Sequence, residues 1–193
     1  MSTGITPTCD ASERVRPLGF WRFDSRALVR GVFFGLVMAL FVGIGDRADA
    51  ALTGGAFPIL GGISWAAIMG ISTLLCRQPG GLIAGLVQGF VDIALGLSPL
   101  AVIFPVVNVA GSLAYSLVAT RLPMSRVRHH VLAQVAGNVV GNGLVAIGLR
   151  LLLQLPFEVI LVSVGVTTVA SIVGGTAVTR LVVGAVERAG LAD

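Results

Sequence analysis

Polar side chains dominate the first 26 residues, and no apolar run there is long enough for a helix to cross a bilayer. From residue 27 the pattern inverts, and long apolar stretches are broken only by short polar ones. A crossing helix takes roughly 20 residues, within a range of about 17–25. Six stretches meet that requirement: 27–45, 54–75, 80–97, 99–120, 131–153 and 159–183. Each break has a physical cause. Asp46, Arg47 and Asp49 close the first stretch. Arg77-Gln78-Pro79-Gly80 closes the second, because proline lacks a backbone donor and disfavours helix in the residue before it. Gly96-Leu97-Ser98-Pro99 makes a tight turn, Arg121 to His130 a polar loop, and Gln154-Leu155-Pro156 with Glu158 another. Connections this short make neighbouring helices antiparallel. The alternating segments of about ten residues that a β-barrel needs are not seen. The expected fold is an all-α membrane protein of six transmembrane helices: a polar tail over 1–26 and a membrane domain over 27–193.

Composition agrees with the pattern. Hydrophobic residues make up 55% of the 193, charged residues 11%, and mean hydropathy is +0.97. Soluble domains carry about a quarter charged residues, so this chain lacks the charge to cover a water-facing surface. Disorder, which needs low hydrophobicity and high charge, is excluded as well. Cys9 and Cys76 are too few for a disulfide framework and lack metal-site spacing.

The positions of the charges matter more than their sum. All 13 basic residues are arginine. With the N-terminus inside and six crossings, Arg14, Arg16, Arg22, Arg26, Arg30, Arg77, Arg121, Arg126, Arg128, Arg180 and Arg188 fall inside, and only Arg47 and Arg150 fall outside. That is the positive-inside bias of a cell-membrane protein with both termini cytoplasmic. It explains the pI of about 10.4 by orientation, leaving nucleic-acid binding without support. A cleaved signal peptide would place its apolar stretch near the start; polar residues come first here, so 1–26 reads as a cytosolic tail. Phe20, Trp21 and Phe23 among its arginines read as an interfacial anchor.

Against so apolar a background, polar residues inside spans are functional candidates by default. Asp92 is the one acid deep within a predicted span, and Gln88 shares its face at i−4. Asn108 lies mid-span in the fourth stretch, and Asn138 and Asn142 share a face of the fifth. Asp92, Gln88, Asn108 and Asn142 are taken as the polar side of a ligand pocket entered from outside. Asn138, Thr167 and Thr168 are taken as bonds between helices. Arg150 and Glu158 near the outer rim serve either as ligand contacts or as a mutual surface pair. Trp65, at mid-depth, needs a partner for its indole N–H and is either an aromatic wall of the pocket or core. Tyr115 reads as an interface anchor, Cys76 as an inert thiol, and His129-His130 as part of a solvated loop. In the first span Gly31, Gly35, Ala39 and Gly43 form a small-residue stripe, which serves packing within the bundle or docking on a partner.

Enzyme signals are missing. The sequence holds no His-Glu-x-x-His, no Gly-x-Ser-x-Gly and no lysine for a phosphate loop. The glycine-rich run from Gly137 to Gly143 lies mid-span and does not follow a soluble strand. No cofactor and no metal is expected.

Several stretches resemble one family. Gly31-x-x-x-Gly35-x-x-x-Ala39, the segment from Arg77-Gln78-Pro79-Gly80 through Asp92 to Gly96, the stretch Gly111-Ser-Leu-Ala-Tyr115, and the closing Gly184-Ala-Val-Glu-Arg-Ala-Gly190 are similar to substrate-binding S components of energy-coupling factor (ECF) vitamin transporters. The resemblance covers most of residues 27–192. It implies capture of a vitamin-like small molecule from outside, and docking through the first-span stripe on an ECF transmembrane coupling subunit driven by two separate ATPase subunits. Spacing in spans three and four is nearest the thiamine or hydroxymethylpyrimidine branch, where acidic residues would be expected at about Gly85 and Ser112; this chain has neither. The alternatives are a self-sufficient solute carrier or channel, and a membrane scaffold that transports nothing.

Overall fold

The computed structural model describes Trp21 and residues 24–54, 56–96 and 98–190. Its elements run α1 (Ser25–Thr53), α2 (Ile59–Leu95), a 3-10 turn at Ala101–Ile103, α3 (Phe104–Ala119), α4 (Val127–Leu152) and α5 (Phe157–Arg188). Among the described residues, five helical segments are long and apolar enough to cross a membrane, the third counting the 3-10 turn with α3. Local chemistry sets most of the ends. The Asp24 side chain accepts the Ala27 N–H and caps α1. Gly54 and Gly96 end α1 and α2 in the left-handed conformation that glycine adopts without steric cost. Pro58 and Pro156 stand just before α2 and α5, where a missing N–H costs nothing.

α2 is 37 residues long but not straight. Backbone angles leave the helical region at Arg77 (φ 54, ψ −170) and Gln78 (φ −87, ψ 141). A straight helix would hold residues 65 and 88 roughly 35 Å apart, yet both side chains bond Asn108. Likewise Thr73 and Gln78 both reach the Ser112 hydroxyl. The chain therefore reverses at Arg77, and residues 59–76 run antiparallel to 79–95. The sequence places a break here, and the backbone has it: the non-helical angles at Arg77 and Gln78, followed by Pro79, divide α2 into the two expected helical halves.

Residues 59–76 occupy the centre. Every residue from Trp65 to Leu74 is buried, so this stretch is enclosed all round instead of showing one apolar stripe. Small residues let its neighbours close in. Gly62 lies on Thr167 and Ser171, Ala66 on Gly175 and Gly70 on Thr179, all of α5. Gly111 of α3 and Gly141 of α4 receive the Trp65 ring. α1 covers both halves of α2, with Gly45 against Leu60 and Gly61, Gly31 against Gly80, and Gly35 against Ala84 and Val87.

Several expectations change. α1 runs past Asp46, Arg47 and Asp49, because Asp49 turns inward and its Oδ2 accepts the Gly61 N–H at 3.0 Å. The small-residue stripe is taken up inside the chain: Gly31, Gly35 and Ala39 are buried, with Gly31 and Gly35 against residues 80–87, so the stripe offers no open docking face. Only Gly43 is half-buried. Tyr115 is not an interface anchor but fully buried core. His129 and His130 are not in a solvated loop; they open α4 and are buried, with His129 Nδ1 against the Pro123 carbonyl. Trp21 is exposed and bridges to Gln78 through its backbone, whereas Phe20 and Phe23 lie outside the described residues.

Candidate functional site

Four of the predicted site residues meet in one hydrogen-bonded ladder between α2 and α3. Trp65 Nε1 donates to Asn108 Oδ1 at 2.7 Å. Asn108 Nδ2 donates to the Gly85 carbonyl at 3.1 Å and to Gln88 Oε1. Gln88 Nε2 donates to Asp92 Oδ2. The ladder has a direction imposed by its first member. An indole N–H can only donate, so the carbonyl of Asn108 must face Trp65. The Asn108 amide group then faces Gln88, and the Gln88 amide group faces Asp92. Every donor points along the chain toward the carboxylate. Gln88, Asp92 and Asn108 are 2%, 2% and 3% exposed, and at that depth unpaired polar atoms are costly. All donors and acceptors of the ladder are accounted for except one. Asp92 Oδ1 is buried without a hydrogen-bond partner.

The question posed by Trp65, wall or core, resolves in favour of core. Its ring lies in a slot that exists because Gly111 and Gly141 lack side chains; a Cβ on either would come within 3.0 and 2.8 Å of the ring.

Asn142 belongs to a second network. It donates to Thr168 Oγ1 at 2.8 Å and to Asn138 Oδ1 at 3.4 Å. Asn138 donates to Gln134 Oε1, and Gln134 to the Ala66 carbonyl at 2.9 Å. Thr179 Oγ1 donates to the Ala67 carbonyl at 3.1 Å. This network ties α4 and α5 to the central stretch, so Asn142 is a bundle bond and not a partner of Asp92. The reading as a bond between helices stands for Thr168; Asn138 instead bonds Gln134 and Asn142 of its own helix, and Thr167 Oγ1 is buried without a partner. Arg150 and Glu158 are exposed and do not pair with each other; Arg150 donates to the Leu155 carbonyl at 3.0 Å.

Gln78, absent from the sequence-derived candidates, is fully buried. Its Nε2 donates to Ser112 Oγ at 3.1 Å and Ser116 Oγ at 2.6 Å, and its Oε1 accepts the Leu82 N–H at 2.9 Å. One side chain thus caps the second half of α2 and bolts the reversal to α3. Gln134 was missed too, although it continues the i+4 series with Asn138 and Asn142 that marks one helix face.

Positions Gly85 and Ser112 are closed by packing. A Cβ on Gly85 would lie 2.9 Å from Asn108 Cβ, and Ser112 is engaged by Gln78, so neither has room for an acidic side chain. Among the described residues no group of three His, Cys, Asp or Glu is arranged to hold a metal ion. No protein-family model, no curated protein and no solved structure matches the chain.

Proposed function

We propose that the chain is the solute-binding S component of an ECF-type importer, taking a vitamin-sized solute from outside and docking on a coupling subunit powered by separate ATPases. The observation that supports this reading is the ladder from Trp65 to Asp92: a buried polar line in an apolar bundle that ends on an unsatisfied acceptor. Structural amides between membrane helices are normally satisfied within the bundle, as in the Asn142 network. A line that leaves an acceptor open is suited to a ligand. Counting the halves of α2 as two crossings, each about 25–27 Å long by helical rise, the bundle has six, with both termini on the arginine-rich, cytoplasmic side of the cell membrane. The side with Arg47 and Arg150, toward which Asp92 lies, is then outside.

The thiamine or hydroxymethylpyrimidine branch stays the nearest by resemblance, but the closed positions at Gly85 and Ser112 give that solute no structural support. Docking falls to surfaces other than the glycine stripe; α1 exposes Val29, Phe33, Leu36 and Leu40 along one side. Co-expression with the coupling module of its source should yield a complex that survives purification, and uptake should require that module. Uptake that persists without it would instead mark a self-sufficient carrier, and absence of both complex and uptake a scaffold.

A further inference from the structure

The charge around Asp92 is one-sided. Asp46 of α1 sets its carboxylate against the backbone at Gly61, and, since α1 runs alongside the second half of α2 from Gly31 at Gly80, it lies at Asp92's end of the bundle. Asp49, one turn on, is held by the Gly61 N–H. α3 brings only the amide of Asn108 to this line, and among the described residues no arginine pairs with Asp92. The ladder cannot turn round to supply the missing partner, because Trp65 fixes the direction of every amide in it. Gln88 has spent its carbonyl on Asn108 and its donor on Oδ2. With Asp92 ionised, the vacancy on Oδ1 is one for a donor, at an atom buried from water.

Resting on the reading of this line as the solute site, we propose that the captured solute carries a positively charged N–H group, an ammonium or amidinium, which docks on Asp92 Oδ1 when the helix ends covering it part. Such a group supplies the absent hydrogen bond and neutralises the surplus charge at once. A neutral acceptor or an anion does neither and adds to the repulsion. Charge-assisted hydrogen bonds in a site of low dielectric are the stronger kind, so the preference for cations is large enough to measure.

The test uses the full chain purified in detergent, with thermal unfolding read against matched small probes: benzamidinium and phenethylammonium as cations, benzamide as the neutral isostere, benzoate as the anion. The cations should raise the melting temperature and the other two should not, since binding to the native state stabilises it. In Asp92→Asn the cation affinity should fall roughly ten- to a hundredfold. Without any probe, that variant should melt no lower than the parent, because an unpaired buried charge has been removed; this shows that it folds. Stabilisation by benzamide or benzoate equal to that by the cations, no stabilisation by any cation, or a cation response retained in Asp92→Asn would each overturn the proposal. Complex formation with a coupling module is a separate measurement. A chain that forms the complex without preferring cations refutes this inference and keeps the importer reading, and the converse result refutes the importer reading alone.

Discussion

Trp65 carries two structural duties that separate cleanly by substitution. Its N–H orients the ladder, and its ring fills the slot made by Gly111 and Gly141. Trp65→Phe keeps an aromatic ring but leaves Asn108 Oδ1 without its donor, and should cost about 2 kcal/mol of stability, measured by unfolding in detergent. The glycines of α4 give a sharper contrast. A Cβ at Gly141 meets the indole at 2.8 Å, while at Gly143, two residues along the same helix, it meets nothing within 4 Å. Gly141→Ala should therefore destabilise by about 1–3 kcal/mol through overpacking. Gly143→Ala should be neutral or stabilising by up to about 1 kcal/mol, as expected where only backbone entropy changes. Equal effects at the two positions would refute the placement of the ring.

At the scale of elements, the reversal inside α2 decides the architecture. Arg77 adopts φ 54 with ψ −170, a combination that glycine tolerates and other residues adopt at a cost of order 1–3 kcal/mol. The bonds of Gln78 to Ser112, Ser116 and Leu82 hold it there. Arg77→Gly should raise thermal stability, by about 1 kcal/mol after the entropy cost of glycine in the unfolded chain is subtracted. A loss of stability would mean that the arginine side chain contributes more than its backbone strain costs. The same element shows how far sequence reading reaches. Arg77-Gln78-Pro79-Gly80 announces a break through the chemistry of proline, but nothing in those four residues says that Gln78 points inward onto α3. That depends on Ser112 and Ser116, more than 30 positions away.

For the molecule as a whole, the contacts gather the start of α1, the reversal of α2, the end of α3, the start of α4 and the end of α5 at one end. Gly31 meets Gly80, and Gln78 meets Ser116. Of the ten arginines in the described residues, all but Arg47 and Arg150 lie toward that end. A topology with six crossings puts Ser98 and Gln154 outside and Met124 inside; if α2 crossed only once, all three would change sides. Single cysteines at these positions, in a chain with Cys9 and Cys76 replaced by serine, should react with a membrane-impermeant maleimide from outside at 98 and 154 and not at 124. The reverse pattern would exclude six crossings combined with a cytoplasmic N-terminus.

The membrane class, the helical segments and the presence of a polar line were legible in the sequence, because each rests on local quantities: runs of apolar residues, breakers between them, and rare polar side chains standing out against an apolar background. Asp92 with Gln88 could be paired by helical spacing alone. Which polar residues join which could not, because that is set by contacts between segments far apart in the chain. Asn108 and Asn142 look alike in sequence; the fold turns one toward Asp92 and the other toward Thr168. The glycine stripe of α1 has the pattern of a docking face, and only its packing against residues 80–87 shows it to be an internal seam. A small side chain says that something comes close, and the folded chain says what.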